Sequence, residues 1–221
     1  MKTITKVLFS VVLLLFIFSN SFSQSSYNFH IGPSIPVSDY GVYTIHAREG
    51  DIRATGKLGI EVGFQYSYKW PARGFGLFSS IDFILGDISR KWINKAAEIS
   101  VSYPLLSLPE YLYLPLSAGF FYQYEISESI SLLCNSGMTF NYMKVTDNEW
   151  VAATWETDWT TSFGFRVGFG CLIKNRITIN VDYLGLGNHE IEERLVREDE
   201  TIVNIHDLNV QLLTITAGWS F

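Results

Sequence analysis

Along most of this chain, apolar residues recur at every second position. From Leu58 to Trp70 the even positions are Leu58, Ile60, Val62, Phe64, Tyr66, Tyr68 and Trp70, and the odd ones Gly59, Glu61, Gly63, Gln65, Ser67 and Lys69. A helix would spread both sets around its circumference, whereas a strand sends each to its own face. The alternation returns over residues 75–87, 112–124, 130–142, 159–173, 177–183 and 213–221. Tyr27 to Ile35 follows it less well because Pro33 interrupts it, and proline is tolerated only at edges and bulges. Eight strands are predicted. Most run about 9–13 residues, enough for the ~9–11 that cross a bilayer at barrel tilt.

The connections alternate in length. Pro71–Gly74, Glu125–Ser129 and Lys174–Arg176 are tight, while Pro36–Lys57, Ile88–Tyr111, Met143–Asp158 and Gly185–His206 are long. Short turns on one side and long loops on the other are the plan of outer-membrane barrels, with both termini on the short-turn, periplasmic side. The expected fold is all-β: an eight-stranded antiparallel up-and-down transmembrane β-barrel. A soluble sandwich or lipocalin-like barrel is the competing reading. It would turn the apolar set inward and carry charge outside, but here the polar set is rich in Gly, Ser, Thr and Asn, which suits a crowded lumen. Tracing the strands places Tyr68, Trp70, Phe75, Tyr122, Tyr124, Trp219 and Phe221 near the periplasmic rim and Tyr142, Trp159 and Tyr183 near the outer rim. Paired aromatic girdles are expected of a membrane barrel.

Composition sharpens this picture. Aromatics make up 15% of the chain and charged residues 17%, against roughly 25% charged in soluble domains. Beyond the N-terminus no apolar run approaches the ~18–20 residues of a spanning helix. At the N-terminus, Lys2 and Lys6 precede the apolar run Val7–Phe18, and Ser21-Phe22-Ser23 offers small residues for cleavage. Residues 1–23 read as a secretory signal peptide and 24–221 as the barrel domain. Losing Lys2 and Lys6 moves the net charge from −6 to −8, which argues against nucleic acid as a partner. Cys134 and Cys171 fall mid-strand on the outward face and read as small hydrophobes rather than a disulfide.

Three stretches resemble the small outer-membrane barrels of Bacteroidetes, the OmpX-like and porin-like domains. They are Ile31-Gly32-Pro33-Ser34-Ile35-Pro36-Val37-Ser38-Asp39-Tyr40, Tyr111-Leu112-Tyr113-Leu114-Pro115-Leu116, and the terminal strand ending on Phe221. The resemblance covers nearly the whole mature chain. It implies an outer-membrane location, contact with membrane lipid and lipopolysaccharide, and a last strand read by the assembly machinery; it says little about activity.

Candidate chemistry is sparse. By parity, Glu61, Asp82, Arg166 and Asp182 all point into the lumen. Extrapolating from the tight turns sets Gly168 opposite Asp182, making Arg166 and Asp182 diagonal neighbours, and sets Asp82 opposite Gly63 and diagonal to Glu61. Carboxylates that close repel unless a cation sits between them, so Arg166 is expected to bridge Asp182 and reach toward Glu61 and Asp82. Of the histidines, His30 points inward with Ser34 four residues on, beyond direct reach; His46 and His206 lie in loops; His189 has Glu190 and Glu192 beside it and no serine nearby. This leaves no nucleophile–base–orienter set. The acidic groups around His189–Glu193 and Glu198–Glu200 show no ordered ligand spacing, so no metal and no cofactor is expected. The apolar stretches flanking Arg197–Glu200 predict a hairpin protruding beyond the membrane. The expected role is structural or surface-binding, with loops meeting lipopolysaccharide or an unidentified extracellular ligand. A narrow channel or transport accessory, and a lipid A-modifying enzyme, are the alternatives.

Overall fold

The computed structural model describes residues 25–37, 43–47, 50–54, 58–70, 74–86, 111–145, 148–150, 153–196 and 201–221. The expected signal peptide and the polar stretch Arg197–Glu200 lie outside these residues. In chain order the strands are β1 Ser25–Pro36, β2 Tyr43–Ala47, β3 Gly50–Ala54, β4 Gly59–Lys69, β5 Phe75–Gly86, β6 Tyr111–Ser127, β7 Ile130–Val145, β8 Asn148–Trp150, β9 Ala153–Thr157, β10 Thr160–Ile173, β11 Ile177–Val196 and β12 Thr201–Ser220.

Eight of them form a closed antiparallel barrel in the circular order β1, β4, β5, β6, β7, β10, β11, β12. The seam joins β1 to β12, with Phe29 opposite Trp219 and Ser34 opposite Thr214. Register follows from the tight turns. Lys174 and Asn175 both carry positive φ, 51° and 53°, and Arg176 N donates to Ile173 O at 3.0 Å, closing a tight turn whose twist matches its strands. That turn sets Ile173 opposite Ile177 and Gly168 opposite Asp182.

Two long connections hold strands that alternation did not reveal, because runs of three to five residues are too short to show a period. β2 and β3 form a separate hairpin. β8 and β9 form another, and β9 pairs with the outer part of β11, Glu193 opposite Thr157 through Val196 opposite Thr154. β11 and β12, each 20 residues long, stay paired out to Val196 and Thr201. Where β11 passes the rim, a bulge between Gly185 and Gly187 shifts the register, with Gly187 at φ 85°.

The outward face decides between membrane and water. Phe29, Phe64, Phe83, Phe120, Phe163 and Phe169 are 37–72% exposed and share that face with Ile31, Leu132, Val167 and Ile215. So wide an apolar band is not kept against water; it is the lipid-facing belt of a transmembrane barrel. Inside, the outer half of the lumen is packed with Ile84, Tyr111, Tyr113, Met143, Val145, Leu184, Leu186, Ile191, Leu208, Val210 and Leu212. The periplasmic half keeps a cavity of about 360 Å³ lined by polar side chains including Asn28, Gln65, Ser67, Gln123 and Asn180. The charged residues lie between the two.

Candidate functional site in the barrel lumen

One row of the pleat runs His30 on β1, Gly63 on β4 and Asp82 on β5, each opposite the next. Glu61 is the next lumen-facing position of β4. Across the lumen, Arg166 stands on β10 and Asp182 on β11. All five charged or ionisable residues are buried, none more than 1% exposed.

Arg166 spans the barrel. Its Nε and Nη2 donate to Asp182 Oδ1 and Oδ2 at 3.0 and 2.9 Å, the bidentate fork that suits guanidinium to carboxylate. Its Nη1 donates to Asp82 Oδ2 and to Ser80 Oγ, both at 3.0 Å. Ser80 Oγ donates in turn to Asp82 Oδ2 at 3.0 Å, and Asn135 Nδ2 donates to Asp182 Oδ1 at 3.0 Å. His30 Nε2 lies 3.0 Å from Asp82 Oδ1 and 3.3 Å from Glu61 Oε1. Glycine makes room for both clusters: a Cβ at Gly63 would overlap His30 Nε2 and Asp82 Oδ1, and one at Gly168 would overlap Asp182 Oδ1.

Arg166, Asp182 and Asp82 thus meet directly, and Glu61 joins them through His30. Sequence reasoning placed His30 inward but not in the cluster, because its neighbours arrive across the long connection between β1 and β4, where no tight turn sets the register. A second pairing corrects the reading that no serine lies near His189. Ser162, brought in from β10, has its Oγ 2.8 Å from His189 Nε2. The same hydroxyl donates to the Leu186 carbonyl, and His189 Nδ1 is buried with no hydrogen-bond partner.

The ten aromatic residues expected at the two rims all lie on the outward face. Tyr68, Trp70, Phe75, Tyr122, Tyr124, Trp219 and Phe221 gather at the short-turn end, where Phe75 and Tyr122 rings pack 4.6 Å apart. Trp159 is 54% exposed just before β10, and Tyr142 pairs with Thr161 near that end. Tyr183 sits deeper, opposite Val167 and below the bulge, with its hydroxyl donating to Gln211 at 2.8 Å. Cys134 and Cys171 are free thiols.

Several solved structures share this architecture. The outer membrane protein OprG from Pseudomonas aeruginosa aligns over 90% of this chain and 96% of its own, with TM-score 0.51 and 13% identity. Outer membrane protein AlkL, solved in DMPC lipid bilayers, aligns over 91% of this chain and 92% of its own, with TM-score 0.50 and 12% identity. Ail, the attachment invasion locus protein of Yersinia pestis, aligns over 90% and 99%, with TM-score 0.44 and 16% identity. No protein-family model and no curated protein matches the chain. Likeness at this identity speaks for the fold. With the apolar belt, it defines the class: a small, eight-stranded integral barrel of the bacterial outer membrane.

Proposed function

We propose that this protein acts at the cell surface, as a barrel plugged in its outer half whose outer sheet binds lipopolysaccharide or an extracellular partner. The observation that carries this reading is the outer edge of β12. β1 accompanies β12 only as far as the contact of Val37 N with Gln211 O at 3.1 Å. Beyond it, among the described residues, no strand pairs with that side of β12. Val203 and Ile205 on this stretch are 51% and 63% exposed. On the other side, β11 is buttressed by β9 and by Arg194, which binds Asp158 and Glu192 at 2.6 and 2.9 Å. A rigid strand with one open edge accepts a partner's strand or an extended ligand by backbone pairing.

An enzymatic role is not part of the proposal. We place the chain with the OmpX-like barrels of Bacteroidetes on its three motif stretches, and assign Phe221, whose backbone pairs with Tyr27 at 2.9 Å, to recognition by the assembly machinery.

The test is binding of protein in nanodiscs to lipopolysaccharide and to intact cells. The variant Val203→Lys/Ile205→Lys should assemble normally and lose binding; unchanged binding sinks the edge-strand reading. In planar bilayers no large, steady conductance is expected, and a porin-sized channel would favour the transport alternative. Lipid A mass spectra should be the same with and without the protein.

A further inference from the structure

The lumen cluster is short of positive charge. Asp82, Asp182 and Glu61 are three buried carboxylates, and among the described residues Arg166 is the one guanidinium beside them, paired with Asp82 and Asp182. With His30 protonated the cluster is one positive charge short, and with His30 neutral two, in a region screened from water where unbalanced charge is costly. Arg166 spends its donors on Asp182, Asp82 and Ser80. Glu61 is left over: it is 0% exposed, and neither carboxylate oxygen accepts a hydrogen bond. It points at His30 Nε2, 3.3 Å away.

We infer that His30, Glu61 and Asp82 form a binding site for one divalent transition-metal ion of the zinc type. Three features converge on this. First, one ligand atom from each residue lies within 4.8 Å of the others, and the His30 Nε2 distances to Asp82 and Glu61 are 3.0 and 3.3 Å. Ligand atoms held about 2.0–2.2 Å from a metal sit ~3.0–3.5 Å apart around octahedral or tetrahedral centres, so little movement is needed. Second, one imidazole and two carboxylates are a donor set that zinc and its neighbours accept. The ion takes the Nε2 position of a neutral imidazole, the Nε2 proton leaving to solvent or moving to Nδ1, and the ion's two charges then offset the two that Arg166 leaves uncompensated. Third, there is an approach and a support. The polar cavity reaches Asn28 and Gln65, one lumen row below His30 and Gly63. Asp82 is held from behind through Oδ2 by Ser80 and Arg166, leaving Oδ1 toward the ion. Such outer contacts orient metal-ligating carboxylates. Gly63 keeps the space open, since its Cβ would occupy it.

The experiment uses the refolded full barrel, stripped with a chelator and titrated with Co²⁺ and then Zn²⁺ in micelles. One equivalent of Co²⁺ should produce visible ligand-field bands that Zn²⁺ bleaches, and Zn²⁺ should raise the thermal midpoint by several degrees. Glu61→Gln and His30→Asn should abolish both responses, while Glu125→Gln at the cavity mouth should keep them. Absence of bands in the unaltered chain means that protons supply the missing charge, and overturns the site. Bands that survive in His30→Asn place the metal elsewhere and also overturn it. If those variants do not refold, ¹⁵N NMR of the unaltered chain decides: the His30 imidazole must lose its Nε2 proton and shift on adding Zn²⁺, and an unmoved resonance rejects the proposal.

Discussion

The two halves of the lumen are built from the same strands by opposite means. Toward the outside, Leu184, Leu186, Tyr111, Tyr113, Met143 and Leu212 fill the interior, each at most 1% exposed. Toward the periplasm, Asn28, Gln65, Ser67, Gln123 and Asn180 surround open space. The boundary between them is the layer of Arg166 and its acids. An eight-stranded barrel has an interior just wide enough for side chains, so the character of each layer follows from the inward residues at that height. The contrast teaches where such a barrel is rigid. Apolar packing and ion pairing hold the upper two layers, and the lowest is free to admit water and solutes.

Substitutions layer by layer test this contrast, all read as unfolding midpoints in micelles or bilayers. The largest effect is expected of Arg166→Met, which leaves Asp182 and Asp82 buried without their cation; removing one partner of a buried pair costs about 3–5 kcal/mol. Asp182→Asn should cost less, because Arg166 keeps Asp82. If neither variant moves the midpoint, the middle layer is not a shared network. Leu184→Ala should follow, at about 2–5 kcal/mol for a fully buried leucine; a near-neutral result would mean that the outer plug is loosely packed. Gly168→Ala drives a methyl against Asp182 and Asn135 and should cost about 1–3 kcal/mol by overpacking. The smallest effect belongs to Gln123→Ala in the vestibule, where the amide donates to Ser131 Oγ at 3.1 Å and loss should stay within about 0.5 kcal/mol. A large loss there would show the periplasmic half to be as tightly held as the outer half.

Much of the site was legible beforehand because parity and turn geometry act locally. The Lys174–Arg176 turn fixes Gly168 against Asp182, so the Arg166–Asp182 diagonal follows by counting. Counting from the Pro71–Gly74 turn likewise sets Gly63 against Asp82. Counting fails where connections are long. His30 meets Gly63 across the connection between β1 and β4. Ser162 reaches His189 only because the Gly185/Gly187 bulge shifts β11 after the register was set. Tyr183, placed at the outer rim by strand tracing, lies below that bulge.

By itself, the amino-acid sequence determined the number of membrane-crossing strands, the face each residue takes, and the registers across short turns. Side-chain direction in a strand has a strict period of two, and a tight turn leaves one way to pair its arms. Closure was decided only in three dimensions: β1 against β12, β5 facing β10 across the lumen, and His30 carried to Glu61 and Asp82. Those contacts join residues far apart in the chain, and their geometry depends on the tilt and stagger of all eight strands together.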